Sequence, residues 1–146
     1  FSSALPMVPS AFFFRRFVSS FAGRARKKEI EIKIQCAIPA DLTVSESDLC
    51  VLLSNALENA LHACVSLAAE GRSCEIDVNF YERNKHLFLQ VVNDCKAPIK
   101  FQNGIPVSDM EGHGIGVQSI CAIVQRYGGV FSFAEKDGKF TLRLSL

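Results

Sequence analysis

Residues 1–28 contain no acidic side chain, although six basic ones fall there: Arg15, Arg16, Arg24, Arg26, Lys27 and Lys28. The formal charge of +1 therefore conceals a body, from residue 29 onward, with ten basic and fifteen acidic groups. A surface of that sign is unsuited to nucleic acid, which is bound by neutralising phosphates. The basic stretch reads instead as a solvated helix face near a partner domain or membrane surface. Also missing is any apolar stretch that reaches the roughly 18–20 residues needed to cross a bilayer before a charge interrupts it. The three histidines, His62, His86 and His113, form no H-E-x-x-H or similar cluster, which argues against an all-protein transition-metal site. None of the six cysteines (Cys36, Cys50, Cys64, Cys74, Cys95, Cys121) belongs to a C-x-x-C pair, and their spacings match neither a zinc ribbon nor a short disulfide framework. Set within apolar patterns, most are expected to be buried free thiols in a reducing, cytoplasmic setting. The chain begins with Phe1 and carries no charged segment ahead of its first apolar stretch, so it reads as an excised fragment without a signal peptide.

What is present is enough for one core: 146 residues, 49% apolar and 21% charged. Strict alternation, the mark of a strand with one buried face, appears four times. Ile30, Ile32, Ile34 and Cys36 form one set, and Ile76, Val78 and Phe80 a second. Leu87, Leu89 and Val91 form a third, and Phe140, Leu142, Leu144 and Leu146 the fourth. A further strand over 130–134 is joined to the last by a hairpin at Asp137-Gly138, and Arg83-Asn84-Lys85 predicts another hairpin. Three segments have helical period. Phe14, Phe17, Val18, Phe21 and Ala25 mark a helix beginning after Pro9. Leu49, Leu53, Ala56, Leu57, Ala60, Cys64 and Leu67 mark a long one, capped by Ser45 or Ser47. Val117, Ile120, Cys121, Val124 and Tyr127 mark a third, closed by Gly128-Gly129. Helix, strand, helix, hairpin, loop, helix, hairpin describes an α+β, two-layer α/β sandwich. Residues 94–113 fit neither period and read as a long loop or lid.

Three groups of residues could carry chemistry. At about 100° per residue, Asn55, Asn59, His62 and Ser66 share one stripe of the long helix, away from its apolar face. Two Asn and a His there forgo helix propensity. A neutral stripe of oxygen acceptors and amide donors suits a ligand that brings both charges itself, such as Mg-nucleotide. Gly112-His113-Gly114-Ile115-Gly116 immediately precedes the third helix, where glycines let backbone N–H groups approach an anion. Its spacing is neither G-x-G-x-x-G nor a P-loop. Asn93 ends the third strand, positioned to meet a base edge at a pocket floor, with Asp94 expected to point the other way. A solvated helix face, a hinge and a turn cap are the plainer alternatives for these three groups.

In this order the residues resemble the ATP-binding domain of the GHKL superfamily. Leu53-Ser54-Asn55-Ala56-Leu57-Glu58-Asn59-Ala60 is similar to its N box, Val91-Val92-Asn93 to the start of its G1 box, and Gly112-His113-Gly114-Ile115-Gly116-Val117 to its G2 box. G-H-G-I-G followed by a helix and Tyr-Gly-Gly resembles the sensor histidine kinases of the peptide-pheromone-receptor branch. The resemblance implies a Bergerat-type fold at 29–146, with a mixed, mostly antiparallel five-stranded sheet and helices on one face, preceded by a linker helix at 1–28. It implies ATP and Mg²⁺ as cofactors. Asn59 is then the metal-coordinating residue, Asn55 a phosphate or metal contact, Asn93 the adenine reader and His62 a phosphate contact. Gly112, His113, Gly114 and Gly116 shape the lid end. The implied activity is transfer of the γ-phosphate to a histidine on a dimerisation domain absent from this chain. A response regulator would act downstream, and the full-length protein would be a homodimer whose membrane-anchored kinase has this domain in the cytoplasm. None of His62, His86 or His113 has the acidic helical context of an acceptor. An amide at Asn55, where hydrolytic relatives place a water-activating Glu, implies slow ATP hydrolysis. An anti-sigma-factor Ser/Thr kinase and a non-catalytic nucleotide-sensing module are the alternative readings.

Overall fold

The computed structural model describes residues 7–37, 43–107 and 114–146. The first helix, α1 (Met7–Lys27), starts two residues before Pro9 rather than after it. A proline is accommodated in a first turn because the N–H groups there have no helical acceptor anyway. Arg24, Arg26 and Lys27 fall in its last turn, where cations complement the helix dipole. The chain then turns through Glu29, at φ 59°, with Ile30 N bonded back to Ala25 O at 3.0 Å, and enters β1 (Glu31–Ala37). The second helix, α2 (Glu46–Ala68), is N-capped by Ser45, whose hydroxyl accepts from Asp48 N at 3.1 Å. By length and composition alone α2 is apolar enough to cross a membrane. Here it is the core helix, burying Leu49, Leu52, Leu53, Ala56, Leu57, Ala60, Leu61, Cys64 and Leu67.

Two hairpins complete the main sheet. β2 (Glu75–Arg83) and β3 (His86–Asp94) meet at Asn84-Lys85, both with positive φ. β6 (Val130–Lys136) and β7 (Lys139–Ser145) meet at Asp137-Gly138, also both positive. Two-residue loops of that handedness match the twist of paired strands. The strand order is β1-β2-β3-β7-β6, with β1 parallel to β2 across the α2 crossover and every other pair antiparallel. Alternate residues of the central strands, among them Ile76, Val78, Phe80, Leu89, Val91, Phe140, Leu142 and Leu144, are buried under the helices. The opposite face is half-covered by its own cross-strand pairs, such as Tyr81 stacked on Phe88 and Arg143 donating to Gln90 at 2.8 Å.

The third helix, α3 (Gly114–Arg126), packs Val117, Ile120, Cys121 and Val124 into the same core. It closes through Gly128 at φ 68°, with Gly129 N reaching Val124 O at 2.9 Å. Gly129 itself has no room for a side chain: an added Cβ would lie 2.0 Å from Ser145 O.

Besides the start of α1, the structure departs from the sequence expectations in the 94–113 stretch and among the cysteines, of which only Cys95 and Cys121 are buried thiols while Cys36 is exposed. The stretch expected to lack secondary structure carries a small hairpin, β4 (Phe101–Gln102) with β5 (Ile105–Pro106), turning at Asn103-Gly104. Phe101 stacks on Phe140 at 6.4 Å, and Ile99 and Ile105 pack on the core, so this part of the loop has anchors. Cys64 and Cys74, expected to be free thiols, are joined by a disulfide, because the end of α2 and the approach to β2 bring their Cα atoms to 5.5 Å. Cys95, by contrast, is a buried thiol with its pKa pushed up to about 11 by burial, with Glu135 and Asp94 adding to the effect.

Candidate nucleotide site

α2 and α3 lie side by side and antiparallel, since Ser45 at the start of α2 meets Tyr127 at the end of α3. That arrangement brings the middle of α2 to the first turn of α3. Asn55, half-buried, donates through Nδ2 to Val51 O at 2.9 Å, and its Oδ1 is the atom turned toward α3. A Cβ added at Gly116 would stand 3.1 Å from that oxygen. The glycine is thus what lets the helix N-terminus close on the asparagine. Gly114 opens α3, so both glycines sit in the turn whose N–H groups lack helical acceptors.

One turn further along α2, Asn59 is exposed, as is His62, while Ser66 is half-buried. The stripe is therefore open to solvent beside the α3 N-terminus. Glu58, the neighbour of Asn59, is held by both guanidinium nitrogens of Arg24 on α1, one of them at 3.3 Å. Gly112 and His113 lie outside the described residues.

Among the described residues Asn93 is the buried polar one, 2% exposed, and sits opposite Ile76 on one side and Phe140 on the other. Its Nδ2 donates to Asp94 O at 2.9 Å. Asp94 points to the other face, as strand alternation requires: its carboxylate accepts from Glu75 N at 2.9 Å and pairs with Lys139 at 2.7 Å, raising the lysine's pKa. Asp94 is thus committed to holding β2, β3 and β7 in register and is not a ligand group.

Among the described residues no group of three or more His, Cys, Asp or Glu side chains could hold a metal ion. Cation binding at this place needs the neutral oxygens of Asn59 and Asn55 together with oxygens supplied by a ligand. The donor set suits that: two amides on one stripe of α2 and, beside Asn55, backbone N–H groups at a helix start with no Cβ in the way.

Sequence reasoning passed over a fourth group at the opposite end of the two helices. Tyr127 Oη donates to Asp48 Oδ2 at 2.6 Å and accepts from Ser45 N at 3.1 Å, while Arg126 Nη1 donates to Asp48 Oδ1 at 2.7 Å. The only hint was that Tyr127 falls on the helical stripe with a polar tip, and a half-buried tyrosine turns that tip to a hydrogen-bond partner.

The family model of the GHKL domain matches residues 44–146. Among solved structures, the nucleotide-free catalytic domain of histidine kinase ThkA superposes with a TM-score of 0.68 at 16% identity, covering 90% of this chain and 87% of that one. The mycobacterial sensor histidine kinase MprB gives 0.59 at 16% identity, over 91% and 94%. Full-length ShkA in complex with AMPPNP gives 0.63 at 17% identity, over 90% of this chain and 28% of that one. These likenesses establish a shared fold. No curated protein matches the sequence.

Proposed function

Since the chain belongs to the GHKL-domain family, we propose that it is the ATP-binding catalytic domain of a sensor histidine kinase, presenting the γ-phosphate of Mg-ATP to a histidine on a dimerisation segment outside these residues. The observation that carries this reading is the approach of Gly116 to Asn55 Oδ1, 3.1 Å for an added Cβ. It places the first turn of α3 against the amide stripe of α2. The resemblance of both segments to the N and G2 boxes, and the AMPPNP bound by ShkA, support it.

Each residue then has a task. The N–H groups of the first turn of α3, from Gly114 and Gly116, face the phosphates at the positive end of the helix dipole. Gly112 and His113 precede that turn in sequence and are assigned to the phosphate end by the resemblance to the G2 box. Asn59 offers its amide oxygen to Mg²⁺, and Asn55 holds the phosphate or metal from one turn earlier. His62, exposed on the same stripe, reaches toward a phosphate. At the strand end, Asn93 has its Nδ2 committed to Asp94 O, which leaves Oδ1 to accept from an adenine amino group. Magnesium neutralises charge across the phosphates when bound; the chain itself contributes position and dipoles.

Water activation is poorly served. The Asn55 amide cannot take a proton, and Glu58 is tied to Arg24. Slow hydrolysis and transfer to a protein histidine are therefore the expected balance. A response regulator as the final acceptor, a homodimeric full-length protein and a membrane-anchored kinase with this domain in the cytoplasm complete the reading.

Calorimetric titration with Mg-ATP tests it. Asn59→Ala, exposed on α2, is expected to weaken binding at least about tenfold, as loss of a first ligand or its support does at metal sites, while the folded protein keeps its circular dichroism. Unchanged affinity in a folded Asn59→Ala protein would overturn the assignment.

A further inference from the structure

The Tyr127-Gly128-Gly129 segment has no part in the site described above, yet two of its residues have evident structural reasons. Gly128 takes the positive φ that ends α3, and Gly129 lies against Ser145 O where no Cβ fits. Neither reason explains the tyrosine hydroxyl. Packing of the ring is a task phenylalanine performs equally well. The hydroxyl instead bonds across 79 residues of sequence to Asp48 Oδ2 and across 82 to Ser45 N. Ser45 is the N-cap of α2, and Asp48 lies in its first turn. Arg126 takes the remaining carboxylate oxygen. The C-terminus of α3 is thereby bonded to the N-terminus of α2 by directional contacts, at one end of an antiparallel pair.

The other end of that pair is the site. From Tyr127 to Gly116 is eleven residues, about 16 Å of helix, and from Ser45 to Asn55 about 15 Å. Hydrogen-bonded helices of three turns are stiff over such a length, so a fixed contact at one end sets the approach at the other. The apolar contacts of Val117, Ile120 and Val124 hold α3 down onto the core but are non-directional and permit sliding.

We propose that Tyr127 is a positioning residue: by bonding Asp48 and Ser45 N it sets how closely the first turn of α3 approaches Asn55, and so the phosphate end of the nucleotide site. This rests on the reading of that site as a nucleotide site. The hydroxyl touches no reacting group and acts only through the two helices.

The test is Tyr127→Phe in this chain, read by Mg-ATP calorimetry and by NMR of the nucleotide-free protein at the Gly116 amide and the Asn55 side-chain amide. The expected result is an affinity loss of about fivefold, a coupling at the small end of the usual range, together with shifted Gly116 and Asn55 resonances. Wild-type affinity with unmoved resonances overturns the proposal. So does weakened binding without movement at Gly116, or lower stability with affinity intact, each of which makes the hydroxyl an ordinary structural contact. Should Tyr127→Phe fail to fold, Asp48→Ala leaves the ring and the Ser45 cap in place, and the same two readouts decide. If the wild-type protein binds no Mg-ATP, the nucleotide reading fails, while the resonances still report whether the tyrosine governs the helix approach.

Discussion

Single atoms decide the chemistry at three positions. At Gly116 the 3.1 Å separation between an added Cβ and Asn55 Oδ1 is close enough that the asparagine must give by a few tenths of an ångström for any side chain. Gly116→Ala is accordingly expected to fold and to bind Mg-ATP more weakly than wild type, measured by calorimetry. Gly129→Ala is a different case, since the clash at 2.0 Å is with backbone, the Ser145 carbonyl. It should lower the urea midpoint by the equivalent of about 3 kcal/mol, the upper part of the usual overpacking range. Asp48 carries a pH signature. The Tyr127 hydrogen bond foremost, against desolvation, and then Arg126 and Ser45, hold its carboxyl below the ordinary aspartate range. A carboxylate depressed in the folded state contributes fully at neutral pH and loses its contribution as pH falls through the folded value. Urea midpoints followed from about pH 6 downward should therefore fall less steeply in Asp48→Asn than in wild type. At this scale the sequence was a good guide to which residues face which way. Asn93 and Asp94 had to diverge because strand side chains alternate. Beyond the polar tip of Tyr127 it did not point to Asp48 as the partner, since nothing local relates residues 79 apart.

Among the elements, those with one buried face were the readable ones. Ile76, Val78 and Phe80 alternate because β2 has a core side and an open side, and the positive-φ pairs Asn84-Lys85 and Asp137-Gly138 mark its turns and those of β6–β7. The β4–β5 hairpin escaped notice because strands of two residues are too short to show any period. The Asn103-Gly104 pair, a strong hairpin dipeptide, was the available signal. The parallel pairing of β1 is legible from the intervening helix, which a parallel connection requires. Cysteine spacing, in contrast, cannot reveal that Cys64 and Cys74 meet, because that depends on where α2 stops and how the chain returns to β2. Closing a loop of this size, ten residues apart in sequence, restricts the unfolded chain by about 3 kcal/mol. The double variant Cys64→Ala/Cys74→Ala should have a urea midpoint indifferent to dithiothreitol, while that of the wild type falls when reductant is added.

For the molecule as a whole, binding and chemistry are expected to separate. The 146 residues include no acceptor histidine in a suitable context, and Glu58 is paired with Arg24. Incubated with labelled Mg-ATP, the chain should incorporate no phosphate and hydrolyse ATP slowly. Adding a dimerisation segment should yield label that is acid-labile and alkali-stable, as a phosphoramidate is; acid-resistant label would indicate a Ser/Thr kinase. The layering of the five-stranded sheet and the three helices was legible because a single core forces each of these longer elements to declare an inner face. The long-range contacts that set distances within the site were not.

The Arg24–Glu58 pair also gives the α2 stripe a dependence on ionic strength. α1 is seated on the core by Phe21, Ala22 and Ala25, with Phe17 and Val18 packed against it, so Arg24 reaches across to α2 from a fixed base. Both partners are about half exposed, and a pair of that kind is screened by salt and contributes little to stability. High salt should therefore release Glu58 beside Asn59 while the apolar seat of α1 holds.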